Sequence, residues 1–205
     1  MFRVRKNQGV TEYKLYSLHN VKVEITGEEE KIVVGSIDPG KNNFSIRVEE
    51  RDRVNGVVTA LYHDVWKIGG EGDNIVIITD LLDGVMDLLN ECNIIIVEGQ
   101  MATNYQMTRL AQHVITYLIA VLRNNEKKTL IVELSSKIKN KYFIKAPAKT
   151  SYNDLKKITV SIVTQLCIDR DDKIALSLLK RLKKKDDACD VIAQIEAFMI
   201  LIGLD

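Results

Sequence analysis

Four acidic residues stand out by where they fall. Asp38 closes the apolar run IVVGSID (32–38), and Glu98 closes the apolar stretch of NIIIVEG (93–99). Asp187 and Asp190 lie three apart in KKKDDACD (183–190), just ahead of a helical pattern of Val191, Ile192, Ile195, Phe198, Met199 and Ile202. Residues at i and i+3 share a helix face, and carboxylates are favoured at a helix N-terminus. Taken singly, each acid reads as a cap or a surface charge; the joint pattern carries the weight. If the strands ending at Asp38 and Glu98 are parallel neighbours, their ends lie about 4.8 Å apart, in the crevice where open α/β sheets bind ligands. Two carboxylates about 4 Å apart repel by about 4 kcal/mol at an effective dielectric of about 20. Four such groups in one crevice must raise one another's pKa values or take up cations. Hard oxygen donors without a histidine or thiolate pattern point to magnesium, with manganese able to substitute. Two such ions per site suit phosphodiester hydrolysis, one activating water and the other stabilising the leaving oxygen.

The elements that must position these acids follow from periodicity. The run 32–38 has the character of a strand buried on both faces. PGKNN then forms a turn, FSIRVEE (44–50) alternates, VNGV (54–57) turns again, and 57–66 forms a third strand, giving an antiparallel meander. Residues 73–92 carry apolar side chains at 75, 78, 82, 85 and 89 and read as one amphipathic helix capped by Asp73. After the strand at 93–99, a longer helix spans 103–125 with Thr103 as its cap. Its apolar residues form more than one stripe, as if one side covered the sheet and another a second subunit. TLIVEL (129–134) is a fifth strand, and helices follow over 151–168, 172–183 and beyond Asp187. Strands alternating with helices define the α/β class. In residues 1–30 only NVKVEIT (20–26) alternates, as an edge strand or hairpin arm would; this part is treated as an N-terminal extension of unknown role.

Composition narrows the function. The net charge is +1, but residues 127–185 hold 16 Lys+Arg against 5 Asp+Glu, whereas the remainder holds 13 against 23. A block this basic suggests a polyanionic partner, the plain alternative being a solvated helical face. No apolar run is long enough for a membrane span. The polar start MFRVRKNQGVTEYK lacks a signal core, so a non-secreted protein is expected. Cys92, Cys167 and Cys189 are scattered and odd in number, as in a reducing compartment. His19, His63 and His113 show no ligand spacing.

IDPGKNN (37–43) resembles the IDPG turn of RuvC-type Holliday junction resolvases. IIIVEGQM (94–101) resembles their second acidic strand, with the helix TNYQMTRLAQHVITYLIAVL after it, and KKDDACD (184–190) resembles their C-terminal acidic motif. The KKDD context and the lysine- and isoleucine-rich style are most similar to the poxvirus branch. The resemblance covers about 31–205 and implies an RNase H-like fold: a five-stranded mixed sheet, order 3-2-1-4-5, flanked by helices. It implies a symmetric homodimer that nicks four-way DNA junctions in a magnesium-dependent reaction, leaving a 5′-phosphate and a 3′-hydroxyl. Carried over, Asp38, Glu98, Asp187 and Asp190 would be the catalytic metal ligands, and Lys139, Lys156 and Lys157 would contact DNA. Bacterial relatives place a phenylalanine wedge where this chain has Met101, which can still act as an apolar wedge but cannot stack. If the poxvirus likeness extends to the source, the host cytoplasm would be the setting. Three alternatives stay open: a ribonuclease acting on RNA–DNA hybrid, a sugar-kinase-like ATPase, and a non-catalytic junction-binding protein. Against the ATPase, the chain is short and has no second DxG turn.

Overall fold

The computed structural model describes residues 13–17, 30–69, 73–101, 103–147 and 149–204. Strands β2 (Lys31–Pro39), β3 (Asn43–Asp52) and β4 (Val58–Lys67) form the expected meander, and β5 (Ile94–Gly99) and β6 (Leu130–Ser135) extend it. β2 pairs antiparallel with β3 and parallel with β5, and β5 pairs parallel with β6. The central five strands therefore run in the order 3-2-1-4-5, as expected. A sixth strand, β1 (Tyr13–Ser17), comes from the N-terminal extension and pairs antiparallel with the outer side of β6. The alternating segment 20–26 lies outside the described residues.

Each face of the sheet is covered by a helical layer. On one side, Ile37, Phe44, Ile46 and Val48 pack with Ile78 and Leu82 of α1 (Asn74–Asp83) and with Leu110, Val114 and Leu118 of α3 (Tyr105–Leu122). On the other, Ile32, Val34, Ile94, Ile96 and Val132 pack against Ile195, Phe198 and Met199 of the last helix, α6 (Asp186–Ile202). α4 (Tyr152–Asp169) and α5 (Lys173–Arg181) lean on α6 through Val163, Cys167, Leu178 and Ile192. β2 and β5 are apolar on both sides because both sides are covered.

Two sequence expectations need correction. The single helix over 73–92 is two, α1 and α2 (Met86–Asn90), because the chain leaves helical geometry at Val85, just after Gly84; glycine is among the weakest helix formers. Asp73 does cap α1, accepting from the Ile75 N–H at 2.9 Å. The cap of α3 is Asn104, which accepts from the Met107 N–H, not Thr103. The polar face of β3 is covered as well. Arg47, Glu49 and Arg51 are buried beneath α6 and the α4–α5 hairpin, where Arg47 reaches Glu49 at 2.9 Å and Asp172 at 2.7 Å. Arg51 bonds Glu49 and Glu196, and Arg170 holds Glu196 through both terminal guanidinium nitrogens. The two arginines hold Glu49 below the ordinary carboxylate range although burial pushes it up.

Candidate active site

The register that pairs Ile37 with Val97 sets Asp38 and Glu98 side by side, one residue further along parallel strands. Both side chains face α6. Their carboxyls approach closely enough to share a proton, and burial, then the neighbouring Glu98 charge, pushes Asp38 well above the usual carboxylate range. The β2–β3 turn leaves no room for a side chain at Gly40, where a Cβ would collide with the Asn43 carbonyl oxygen. That turn carries Asn43, whose Nδ2 donates to Asp187 Oδ2 at 2.7 Å.

After β6 the chain makes a π-helical turn over Lys139–Ile144, closed by Lys145 in the left-handed region. Such turns are rare and recur at functional sites. This one drives Lys139 inward, where its Nζ lies 3.0 Å from Glu98 Oε1 and 3.0 Å from Asp190 Oδ2. Asp38 adds to the negative field on that ammonium. Burial pushes Glu98 up, but the Lys139 charge together with hydrogen bonds from Asp38, Lys139 and Gln100 outweighs it and holds Glu98 low; Asp190, also buried, stays raised despite the same lysine. Gln100 Nε2 fixes the other Glu98 oxygen at 3.1 Å.

α6 is held at both ends of its first turns. Gln194, one turn past Asp190, accepts from Ser36 Oγ of β2 at 3.0 Å. His63 of β4 donates from Nε2 to the Ala188 carbonyl, between the two aspartates, at 3.1 Å. A carbonyl can only accept, so the proton sits on Nε2. Burial, then the Arg47 charge, pushes the His63 pKa down to about 3, so the ring is neutral.

The structure thus brings Asp38, Glu98 and Asp190 together around one ammonium. Asp187 stands at the edge, between Asn43 and Lys184, whose Nζ lies 3.0 and 3.1 Å from its two oxygens. Among the described residues no three acids, histidines or cysteines converge as a ready-made metal group, because Lys139 separates Glu98 from Asp190. The donors still fit a hard divalent ion: they are carboxylate oxygens, one carboxyl carries a raised pKa, and a cation already sits on two of them. Lys139 is within the acidic centre and not on the open surface. Lys156 pairs with Asp186 and lies over the Tyr152 ring, 4.9 Å from its centroid, while Lys157 is exposed beside Asp154. Met101 follows β5 and is 68% exposed. Sequence reading missed Asn43, Gln100, His63 and Lys184. Of these Asn43, in IDPGKNN, Gln100, in IIIVEGQM, and Lys184, in KKDD, lay in a quoted motif; His63 had none.

No protein-family model matches the chain. A curated relative, Uncharacterized protein 170L of Invertebrate iridescent virus 6, is 30% identical over 125 residues, 53% of this chain and 51% of its own length. The chain therefore spans about half the length of the curated relative it matches. In three dimensions it superposes on the fowlpox virus Holliday junction resolvase with a TM-score of 0.58 at 12% identity, over 82% of this chain and 98% of that one. The yeast mitochondrial Holliday junction resolvase gives 0.57 at 20% identity, over 83% and 80%. RuvC of Thermus thermophilus gives 0.54 at 14% identity, over 84% and 98%. The fold is the RNase H-like fold of the RuvC-type resolvases, the resemblance that the acidic motifs carried.

Proposed function

We propose that this chain is a divalent-metal-dependent endonuclease that resolves four-way DNA junctions by paired, symmetric nicks. The observation that carries the reading is the convergence of Asp38, Glu98 and Asp190 on one ammonium, at the carboxyl ends of two parallel strands. The substrate class is carried over from similar folds, one of them the fowlpox resolvase with its substrate Holliday junction.

Asp38, Glu98 and Asp190 would hold magnesium, or manganese in its place, with Asp187 completing the set from the edge. Ions bound there supply a water of lowered pKa and positive charge for the leaving oxygen. The chain's own groups prepare the rest. Asp38, with its raised pKa, is the carboxyl that gives up a proton when a cation arrives. Gln100 and Asn43 fix the orientation of Glu98 and Asp187. Lys139 supplies a charged donor in a water-poor crevice, where an N⁺–H···O⁻ bond to a scissile phosphate is strong. Lys157, Lys156 and Met101 would meet DNA outside the acidic centre. A homodimer would set two such sites on strands of like polarity, using the part of α3 left uncovered near Val121, which is 43% exposed.

The test is a cleavage assay with end-labelled four-way junction, linear duplex and RNA–DNA hybrid, with and without magnesium, beside an Asp187→Asn control. Paired symmetric nicks in the junction, lost in the control, are expected. Cutting of the hybrid alone would make the chain a ribonuclease, and junction binding without cutting would make it an architectural protein.

A further inference from the structure

A cavity of about 520 Å³ opens at the same end of the sheet as the acids, on the side covered by α1 and α3. That is the size of a small-ligand site. Lys41 and Asn42 of the β2–β3 turn, Gly69 after β4, Asp73 before α1, and Tyr105 and Arg109 of α3 line it. The walls are tied together. Ile68 N–H donates to the Asn42 carbonyl at 2.9 Å, Asn74 Nδ2 donates to the Lys41 carbonyl at 3.3 Å, and a Cβ on Gly69 would press on Asn42 Oδ1 at 3.2 Å.

The lining is built for an anion with a flat ring. Lys41 and Arg109 have no ion pair with any described residue. The acid, Asp73, is turned to its own helix. Tyr105 is 76% exposed at the first turn of a helix whose other large side chains are mostly packed. Two uncompensated cations beside an open aromatic face match the two parts of a nucleotide, phosphate and base. The pocket also borders both acidic segments. Lys41 is three residues past Asp38, so within about 11 Å along the chain. Tyr105 is one turn past Met101, whose carbonyl accepts from Asn104 N–H at 2.8 Å and Thr108 Oγ1 at 3.2 Å.

We infer that this pocket takes one unstacked nucleotide of the DNA strand beside the cut site, its base on Tyr105 and its phosphate between Lys41 and Arg109. The inference rests on the junction-nuclease reading and names where that substrate's branch-point nucleotide goes. A free nucleotide presents the same chemistry, so the test has an arm for each source.

In the first arm, full-length Asp187→Asn protein binds a four-way junction carrying 5-iododeoxyuridine at the branch point, is irradiated, and the cross-link is mapped by mass spectrometry. A cross-link at Tyr105 is expected. Tyr105→Leu should weaken junction binding at least about fivefold, the low end for loss of base–aromatic stacking, and Lys41→Gln with Arg109→Gln should flatten its salt dependence. Cross-links mapping elsewhere, with affinities within twofold of the parent, would overturn the inference. In the second arm, thymidine 5′-monophosphate is titrated into the unsubstituted chain while amide resonances are followed. Shifts at Asn42, Gly69 and Arg109 without any branch-point cross-link would assign the pocket to a free nucleotide and also overturn it. Because the first arm needs no cleavage, a Tyr105 cross-link in a chain that cuts nothing would sink the nuclease reading and leave the pocket standing.

Discussion

Lys139 decides how the acidic centre behaves without metal. Its ammonium lies between Glu98 and Asp190 and within the field of Asp38, so three carboxylates depend on one cation. Removing one partner of a buried ion pair costs about 3–5 kcal/mol. Lys139→Met should therefore lower the thermal midpoint, and magnesium should raise it more in the variant than in the parent, since the acids have lost their resident cation. Melts with and without magnesium measure this; an equal response in both would mean that the ion binds elsewhere. At this scale the sequence was informative about acids and silent about their counter-charge. Asp38 and Glu98 each end an apolar run, a signal local enough to read. Nothing in SKIKN announces a π-helical turn that would carry its second lysine inside.

The last helix depends on the strands beneath it. α6 is held to the sheet through His63, Ser36 and Arg51 of β3, and each of these links titrates or is buried. The pH response follows from the signs. His63 is lowered from 6.5 to about 3, so the unfolded chain takes up a proton that the folded chain refuses, and stability falls as pH drops from 6.5 toward about 3. Glu49 and Asp172 are held below their ordinary 4.5 and 3.8, Glu49 by Arg47 and Arg51 and Asp172 by Arg47, in each case against burial. Their contribution is complete above those ordinary values and is lost as pH falls through the depressed ones. Asp38 and Asp190, raised in the folded chain, pull the other way over the same window, so the His63 contribution is read as the difference between the parent and His63→Gln, with a steep fall of both below about pH 4. A difference that stays constant from 6.5 to 4.5 would show that His63 is not held neutral. The alternation of FSIRVEE correctly said which side chains share a face. It could not say that the polar face is covered, because the covering charges, Arg170, Asp172 and Glu196, lie more than a hundred residues downstream. The break at Val85 had only the preceding Gly84 to signal it, and a lone glycine does not by itself end a helix.

For the molecule as a whole, charge is divided between the basic block 127–185 and an acidic remainder. If lysines of the basic block meet phosphates, junction binding must release counterions. Contact with about 6–10 phosphates would cost about 10³-fold or more in affinity between about 50 and 200 mM salt. Fluorescence anisotropy on labelled junction would show it, and a nearly salt-independent affinity would remove phosphate contact from the account. The five-stranded order was legible only through the resemblance that the acidic motifs carried; periodicity by itself showed a meander followed by strands alternating with helices. The sixth strand was not: YKLYS is short and sits in a polar stretch with no turn to pair it to anything nearby, and its partner is more than a hundred residues away.

That added strand has a practical consequence. β1 lies along β6 from Tyr13 opposite Leu134 to Ser17 opposite Leu130, satisfying backbone groups that would otherwise line an open edge. β6 is short, apolar and buried, the kind of edge that recruits another chain when uncovered. A chain shortened to begin at Lys31, where the resemblance to resolvases begins, would keep every proposed ligand and lose its cover. Light scattering should show such a chain associating through β6 at concentrations where the full chain stays dispersed, so that its solubility fails before its chemistry does.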